Sequence, residues 1–350
     1  MLSPAKAKEK ALMALSVRKL IEKGWPTALL GYLIKREELS VRLKYIGDVK
    51  LQGKDFGALA ILTYYVTTRC QPELPEDLAR AAGHLLKLQQ EAPPLLMTSL
   101  SLASYACKQQ SLGYRASVKV GPEKVSLEVN GFSVAFNPSC VNIGSLIEIF
   151  AEGEYKVPEV LSGLRGRDVI DVGANTGDTA LYFVLNGARK VIAVEPLPNI
   201  AKCAEENVRL SGATDKVRVL NVALSSGPVS VPCDYDVSSS GVFSTLKGSG
   251  PCRVPGVTLS DLINTIEDPY LLKMDCEGCE AQVILGPERE KLRAFEHIVF
   301  ETHPLNSGIS DEELLTSLKG LGFECKLHMK HDPKLGINIY RCKNFMPKAA

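Results

Sequence analysis

From Asp168 to the C-terminus, short runs rich in Val, Ile and Leu alternate with helical patterns, and this alternation restricts the fold more than any other feature of the chain. Strands separated by helical crossovers predict a parallel sheet covered by helices. Such runs fall at residues 169–172, 190–194, 217–223, 270–275 and 297–302. Two more, at 323–328 and 336–342, are separated by a short turn rich in Asp, Pro and Gly and should pair as an antiparallel hairpin. The expected architecture over residues 167–345 is therefore α/β, with a seven-stranded, mostly parallel sheet that ends in an antiparallel hairpin.

Upstream the pattern differs. Ser3 and Pro4 mark the start of a helix on which Met13, Val17, Leu20 and Ile21 recur at helical spacing. Pro75, Glu76 and Asp77 start another, with Leu78, Ala82, Leu85 and Leu86 on one face. Residues 1–112 are thus expected to form a helical domain, with Lys35, Arg36, Arg42 and Lys44 alternating with acids as on a solvated face. Alternation then takes over at Val118 and Val120, at Val125, Leu127 and Val129, and at Phe132, Val134 and Phe136, with Gly121 and Gly131 at the turns. This predicts a small meander which, with a Gly/Arg-rich linker ending at Arg167, makes residues 113–166 the lead into the core. A length of 350 residues accommodates two ordinary domains.

Composition excludes more than it selects. With 45% apolar and 23% charged residues, the chain reads as folded and globular rather than disordered. A net charge of +1 gives no global attraction to nucleic acid or anionic lipid. The longest nearly uncharged apolar stretch, residues 93–107, is shorter than the ~20 residues of a spanning helix. Lys6, Lys8, Glu9 and Lys10 interrupt what would be the apolar core of a signal peptide, so a cytoplasmic protein is expected, with its ten cysteines as reduced thiols. Cys276 and Cys279 form the only CxxC, and without a second pair or a His pair at metal spacing no metal site is expected.

The segment Asp171-Val172-Gly173-Ala174-Asn175-Thr176-Gly177 follows the first core strand and opens a helix. Glycine lets backbone approach a ligand closely, and the N–H groups of the helix start face a polar group. The pattern is DxGxxxG: Asn175 stands where the pyrophosphate-binding GxGxxG has its middle glycine, which argues against a dinucleotide. Glu195 lies 24 residues beyond Asp171, at the end of the second strand, where an acid can accept hydrogen bonds from both hydroxyls of an adenosine ribose. Pro196 fixes the turn that leaves the strand.

Five blocks, DVGANTG, AVEP, NVALSS, KMDCEGCE and FETHP, occur in this order. By them the chain resembles the FkbM-type family of S-adenosylmethionine-dependent methyltransferases over about residues 148–342. The resemblance implies a class I methyltransferase, Rossmann-like sheet with the cofactor, S-adenosylmethionine, across the carboxyl ends of the first strands. It further implies that Asp171, Gly173 and Gly177, with Asn175 among them, surround the methionine part, that Glu195 and the adjoining Pro196 meet the ribose, and that residues 221–225, including Asn221, Ala223 and Leu224, meet the adenine. Where the family more usually has apolar residues, this chain has Cys276 and Cys279, which read as small apolar substitutes.

Methyl transfer from a sulfonium is an in-line displacement that depends mainly on alignment. A hydroxyl acceptor adds the need for a base. The candidates are Asp275 and Glu277 after the fourth strand and Glu301 and His303 after the fifth, on loops that should converge. The resemblance ranks Asp275 first, because in this class the acid after the fourth strand lies nearest the transferring methyl; His303 is second by its ordinary pKa. Each has a structural alternative: Lys273 pairing with Asp275 or Glu277, Glu280 capping the next helix, His303 bonding a loop. A polar loop at 236–245 lies near the same edge. The family points mainly to O-methylation, so methyl transfer to a small molecule or sugar hydroxyl is expected. An RNA or protein acceptor held by the N-terminal helices, a nicotinamide-dependent oxidoreductase and a non-catalytic scaffold are the alternatives.

Overall fold

The computed structural model describes residues 11–13, 15–34, 38–44, 47–70 and 92–346. The chain divides into two compact units, Met1–Gly153 and Glu154–Ala350.

The first unit is not purely helical. Strands β1 (Ile21–Lys23), β2 (Glu38–Leu43) and β3 (Gly47–Gln52) form an antiparallel sheet, with helix α1 (Trp25–Leu33) between β1 and β2. Of the charges read as a solvated face, Arg42 lies in β2, where Leu39, Val41 and Leu43 point inward and Arg42 pairs across the ladder with Asp48; Lys44 follows the strand, and Lys35 and Arg36 lie outside the described residues. Period two had been hidden by the high charge. The helix expected through Ile21 ends earlier, in a 3₁₀ turn at Val17–Lys19; its proposed start at Ser3 and the helix at residues 75–86 lie outside the described residues. Helices α2 (Gly53–Arg69) and α3 (Ala92–Ser111) pack together and are joined by a Cys70–Cys107 disulfide. The meander appears as β4 (Ala116–Val120), β5 (Val125–Val129) and β6 (Phe132–Phe136), and α3 packs on it within this unit.

The second unit is α/β. Its sheet comprises β7 (Asp168–Val172), β8 (Lys190–Val194), β9 (Val217–Leu220), β10 (Pro269–Met274), β11 (His297–Glu301), β12 (Phe323–Asp332) and β13 (Ile337–Asn344), in the order β12-β13-β11-β10-β7-β8-β9. β13 alone runs against its neighbours, antiparallel to both β11 and β12. Helix α4 (Asp178–Leu185) follows β7, α5 (Pro198–Leu210) follows β8, α6 (Cys279–Leu285) follows β10, and α7 (Asp311–Gly320) precedes the hairpin. One face of the sheet carries Ile170, Val172, Ile192, Val194, Leu272, Met274, Ile298 and Phe300 into a core completed by Ile284, Leu314 and Leu318. From β7 the chain builds outward to β8 and β9 on one side, then crosses to β10 and β11 on the other. The carboxyl ends of β7 and β10 therefore flank a topological switch point, where open α/β sheets bind ligands.

β7 is buried at every position yet carries two acids, so each needs a partner. Asp168, at the amino end, accepts from Arg189 Nε at 2.9 Å and Nη2 at 2.7 Å, and from the backbone N–H groups of Glu267 and Asp268 at 2.9 and 3.0 Å. Burial raises its pKa, but Arg189 and those N–H groups outweigh it and hold the carboxyl below its ordinary range. The unfolded chain thus binds the proton more readily: the stabilisation is complete above the ordinary carboxylate pKa of about 3.9 and is lost as pH falls through the lower folded value. Asp168→Asn is expected to cost about 1.5–3 kcal/mol at neutral pH. Urea midpoints measured down the acid limb should converge for wild type and variant; a constant gap would exclude Asp168 as the titrating group.

All ten cysteines lie in disulfides, against the expectation of reduced thiols. In the second unit they include Cys233–Cys252, Cys325–Cys342 and Cys276–Cys279. Such bonds persist in oxidising surroundings, so the thiol argument for a cytoplasmic protein does not hold. Among the described residues no helix is long and apolar enough to cross a membrane.

Candidate active site

The turn after β7 is shaped by close approach. Gly173 has φ of +78°, and a Cβ there would lie 1.7 Å from the Asp275 carbonyl oxygen, at the end of β10. Asn175 takes a left-handed φ of 47°, which Asn tolerates better than most residues. Gly177, with φ of +82°, caps α4 against Ala204. Within the helix start Asp178 is buried, and burial pushes its carboxyl up to about 7.

Glu195 leaves β8 and turns back over this loop. Its Oε2 accepts from Asn175 N–H at 3.0 Å and its Oε1 from Leu197 N–H at 2.9 Å. Burial pushes the carboxyl up to about 8, against those N–H groups, which favour the ionised form. Asn221 braces the exit turn, donating to the carbonyls of Glu195 and Pro196 at 3.0 Å each. Beyond it Ala223 and Leu224 are buried and bridge to Gly256 and Val257, so their side chains face the core.

Asp171 does not reach the surface. It is fully buried, takes a 2.6 Å hydrogen bond from Thr179, and lies 3.2 Å from Lys273 Nζ, which the β7–β10 register places opposite. Lys273 also donates to the Gly173 carbonyl at 2.8 Å and lies 3.8 Å from Asp275. Burial would lower its pKa, but Asp171 and Asp275 hold the ammonium well above its ordinary value. Tyr155 completes the wall: its ring sits over the Lys273 ammonium and its hydroxyl donates to Asp275 Oδ2 at 3.1 Å.

The four base candidates converge. His303 Nε2 lies 3.8 Å from Asp275, 3.6 Å from Glu277 and 3.5 Å from Glu301. Behind the ring, Nδ1 is 3.0 Å from Glu280 Oε1. Burial lowers the His303 pKa, but Glu280, Glu301 and Asp275 raise it further, to about 11. An imidazolium has no lone pair, so among these carboxylates His303 is a donor rather than a base. Glu277 holds a left-handed φ of 57° between Cys276 and Cys279, accepts from Asn306 at 2.8 Å, and is pushed by burial up to about 7. Asp275 has the most open side chain, 30% exposed against 15% for Glu277 and 7% for Glu301. The two cysteines are not mere apolar substitutes: they are bonded to each other across the Glu277-Gly278 bend.

Residues 171–325 match the methyltransferase FkbM domain. Over those residues the chain carries an FkbM methyltransferase domain. It is 27% identical over 191 residues to the methyltransferase sdnD of Sordaria araneosa, covering 44% of this chain and 72% of that one. A 75-residue stretch is 39% identical to protein arginine N-methyltransferase 6 of Xenopus laevis, 21% of this chain and 22% of that one. The chain thus spans about a fifth of the length of the arginine methyltransferases it matches. Among solved structures, M. capricolum TrmK with S-adenosylhomocysteine aligns at a TM-score of 0.35 and 11% identity, over 53% of this chain and 66% of that one.

Within the FkbM domain the loop at 236–245 does touch the site loops: Ser244 donates to the Glu277 carbonyl, and nearby Lys247 donates to Leu305 and Asn306. Three participants carry no functional signal in the sequence. Lys273, within KMDCEGCE, reads there only as a pairing partner of Asp275 or Glu277. Glu280 reads only as a cap, and its Oε2 does accept from Gly278 N–H at 3.1 Å. Tyr155 stands 120 positions before the acid it bonds, with no local signal to join them.

Proposed function

We propose that this FkbM domain transfers a methyl group from S-adenosylmethionine to a hydroxyl of a small molecule or sugar. The observation that carries the reading is the meeting, at one switch point, of a glycine turn pressed against β10, a buried acid at the end of β8 and an open acid at the end of β10. These residues fit an adenosyl ligand. Glu195 takes only two of the roughly four hydrogen bonds a carboxylate can accept, leaving capacity for ribose hydroxyls. Gly173, Asn175 and Gly177 would line the methionine side, and Asn221 would hold the turn on the adenine side. Bound there, the cofactor supplies an electrophilic methyl on a sulfonium. Asp275, held by Tyr155 and Lys273, is the side chain left to receive the acceptor hydroxyl.

Calorimetric titration with S-adenosylmethionine, S-adenosylhomocysteine and NAD tests the class directly. Both adenosyl ligands should bind, and Glu195→Ala should weaken them about 10–100-fold, the loss of two hydrogen bonds to the ribose. Asp275→Asn should spare binding and reduce turnover on an identified acceptor by about 10²-fold or more. Binding of NAD alone would overturn the reading.

The stretch shared with the arginine methyltransferases supports a second reading, in which Asp275, Glu277 and Glu301 receive a guanidinium. Incubation with radiolabelled cofactor and an arginine-rich peptide discriminates the two.

A further inference from the structure

We propose that Asp275, Glu301 and His303, with Glu277 at the rim, bind a divalent metal ion. The ligand atoms of the first three lie within 4.8 Å of one another. His303 Nε2 is 3.5–3.8 Å from one oxygen of each of the three carboxylates. Two ligands held about 2.1 Å from one ion in octahedral or tetrahedral geometry stand roughly 3.0–3.4 Å apart, so shifts of a few tenths of an ångström would bring His303 to ligand spacing from each carboxylate, and the carboxylates themselves would close by up to about 1.5 Å.

Two further observations point to an ion rather than to a cluster of acids alone. The first is the support behind His303. Glu280 accepts from the backbone N–H groups of Gly278 and His303, both at 3.1 Å, and its fixed Oε1 faces Nδ1 at 3.0 Å. A carboxylate at one ring nitrogen directs the other outward as a ligand, the usual setting of metal-bound histidine, and a bound cation would take the place of the Nε2 proton that the carboxylates hold in its absence. The second is Glu301. Its side chain is 7% exposed, yet neither oxygen takes a hydrogen bond from a backbone N–H or a hydroxyl among the described residues. Its oxygens face two imidazoles instead, His303 Nε2 at 3.5 Å and His331 Nδ1 at 3.9 Å. A buried carboxylate whose facing groups among the described residues are two imidazoles at 3.5 and 3.9 Å would gain from a cation held between them.

One imidazole and up to three carboxylates make a hard, mixed N/O donor set, which suits Mn²⁺, Fe²⁺ or Zn²⁺ better than a soft ion. A guanidinium could meet the same carboxylates, but it gains nothing from an imidazole aimed at it. The consequence for catalysis rests on the hydroxyl-transfer reading above: an ion beside the open Asp275 would coordinate the acceptor oxygen and lower its pKa. Metal binding itself does not depend on that reading.

The test uses the tag-free full-length protein, stripped with chelator and titrated with Mn²⁺ under electron paramagnetic resonance. Saturation at one Mn²⁺ per chain is expected, with ¹⁴N coupling from one imidazole in the pulsed spectrum. His303→Gln should abolish the coupling and weaken binding at least tenfold, and Glu280→Gln should weaken it about 10–100-fold without changing any ligand. Should His303→Gln fail to fold, the wild-type spectrum still decides, because a bound ion with no ¹⁴N coupling overturns the proposal. So does the absence of saturable binding. Binding that ignores His303→Gln but is lost in His331→Gln would overturn it too, since the ion would then sit among Glu154, Glu301 and His331. Calorimetry with S-adenosylmethionine in chelator keeps the two readings apart, because cofactor binding without Mn²⁺ binding removes only the metal.

Discussion

Gly173→Ala is expected to cost about 3–5 kcal/mol of stability and to remove cofactor binding from whatever fraction still folds. The φ of +78° is strained for any L side chain, at about 1–2 kcal/mol. The larger share is collision, because the new Cβ would meet the Asp275 carbonyl at 1.7 Å, far inside van der Waals contact. That carbonyl cannot drift away freely: the Asp275 N–H is bonded to the Val172 carbonyl at 3.0 Å, and the Gly173 N–H to the Val194 carbonyl at 3.0 Å. Relief requires the ends of β7 and β10 to separate, which also displaces the Gly173 carbonyl from Lys273. Gly212 supplies the control. Its φ is +63° with nothing near an added Cβ, so Gly212→Ala carries the backbone strain without the collision. Urea unfolding of the two variants separates the contributions, and a Gly173→Ala loss no larger than that of Gly212→Ala would mean that the strands do not meet as described.

The sheet was legible in the sequence because parallel strands buried on both faces read as unbroken apolar runs. All seven runs appear, with ends displaced by a few residues; β12, for example, continues to Asp332. The shape of the glycine turn and the strand-end place of Glu195 were legible for a related reason, since both follow from backbone geometry that local sequence dictates. What distance in the chain separates was not. The Tyr155 bond to Asp275 exists only once the sheet has formed, and so does the cage of carboxylates around His303 that raises its pKa. Charge content misled the reading of β2, where buried Leu39, Val41 and Leu43 alternate with Glu38, Ser40 and Arg42. Cysteine spacing was equally mute: Cys325 and Cys342 are 17 residues apart, and only the hairpin register sets them opposite each other.

Lys273→Met should cost about 3–5 kcal/mol, the loss seen when one member of a buried ion pair is removed and its partner stays charged. The side chain is 1% exposed and Asp171 opposite it is fully buried. After the substitution Asp171 retains the Thr179 hydroxyl but no cation, and the Gly173 carbonyl loses its donor. The companion variant decides whether pairing is the cause. Asp171→Asn alone leaves the ammonium with Asp275 as its nearest ion-pair partner, at 3.8 Å, and should also destabilise. Lys273→Met with Asp171→Asn removes both charges, leaving a neutral amide that still has Thr179 beside it, so the double variant should be less destabilised than the two single losses added together. A coupling of about 1–3 kcal/mol in this cycle is expected from urea unfolding. Cofactor affinity should not recover in parallel, because Lys273 also fixes Gly173 and faces Asp275, and neither contact returns with the second substitution. Strict additivity would show that the two charges do not depend on each other, and the account of how β7 tolerates a buried acid at the mouth of the site would fail.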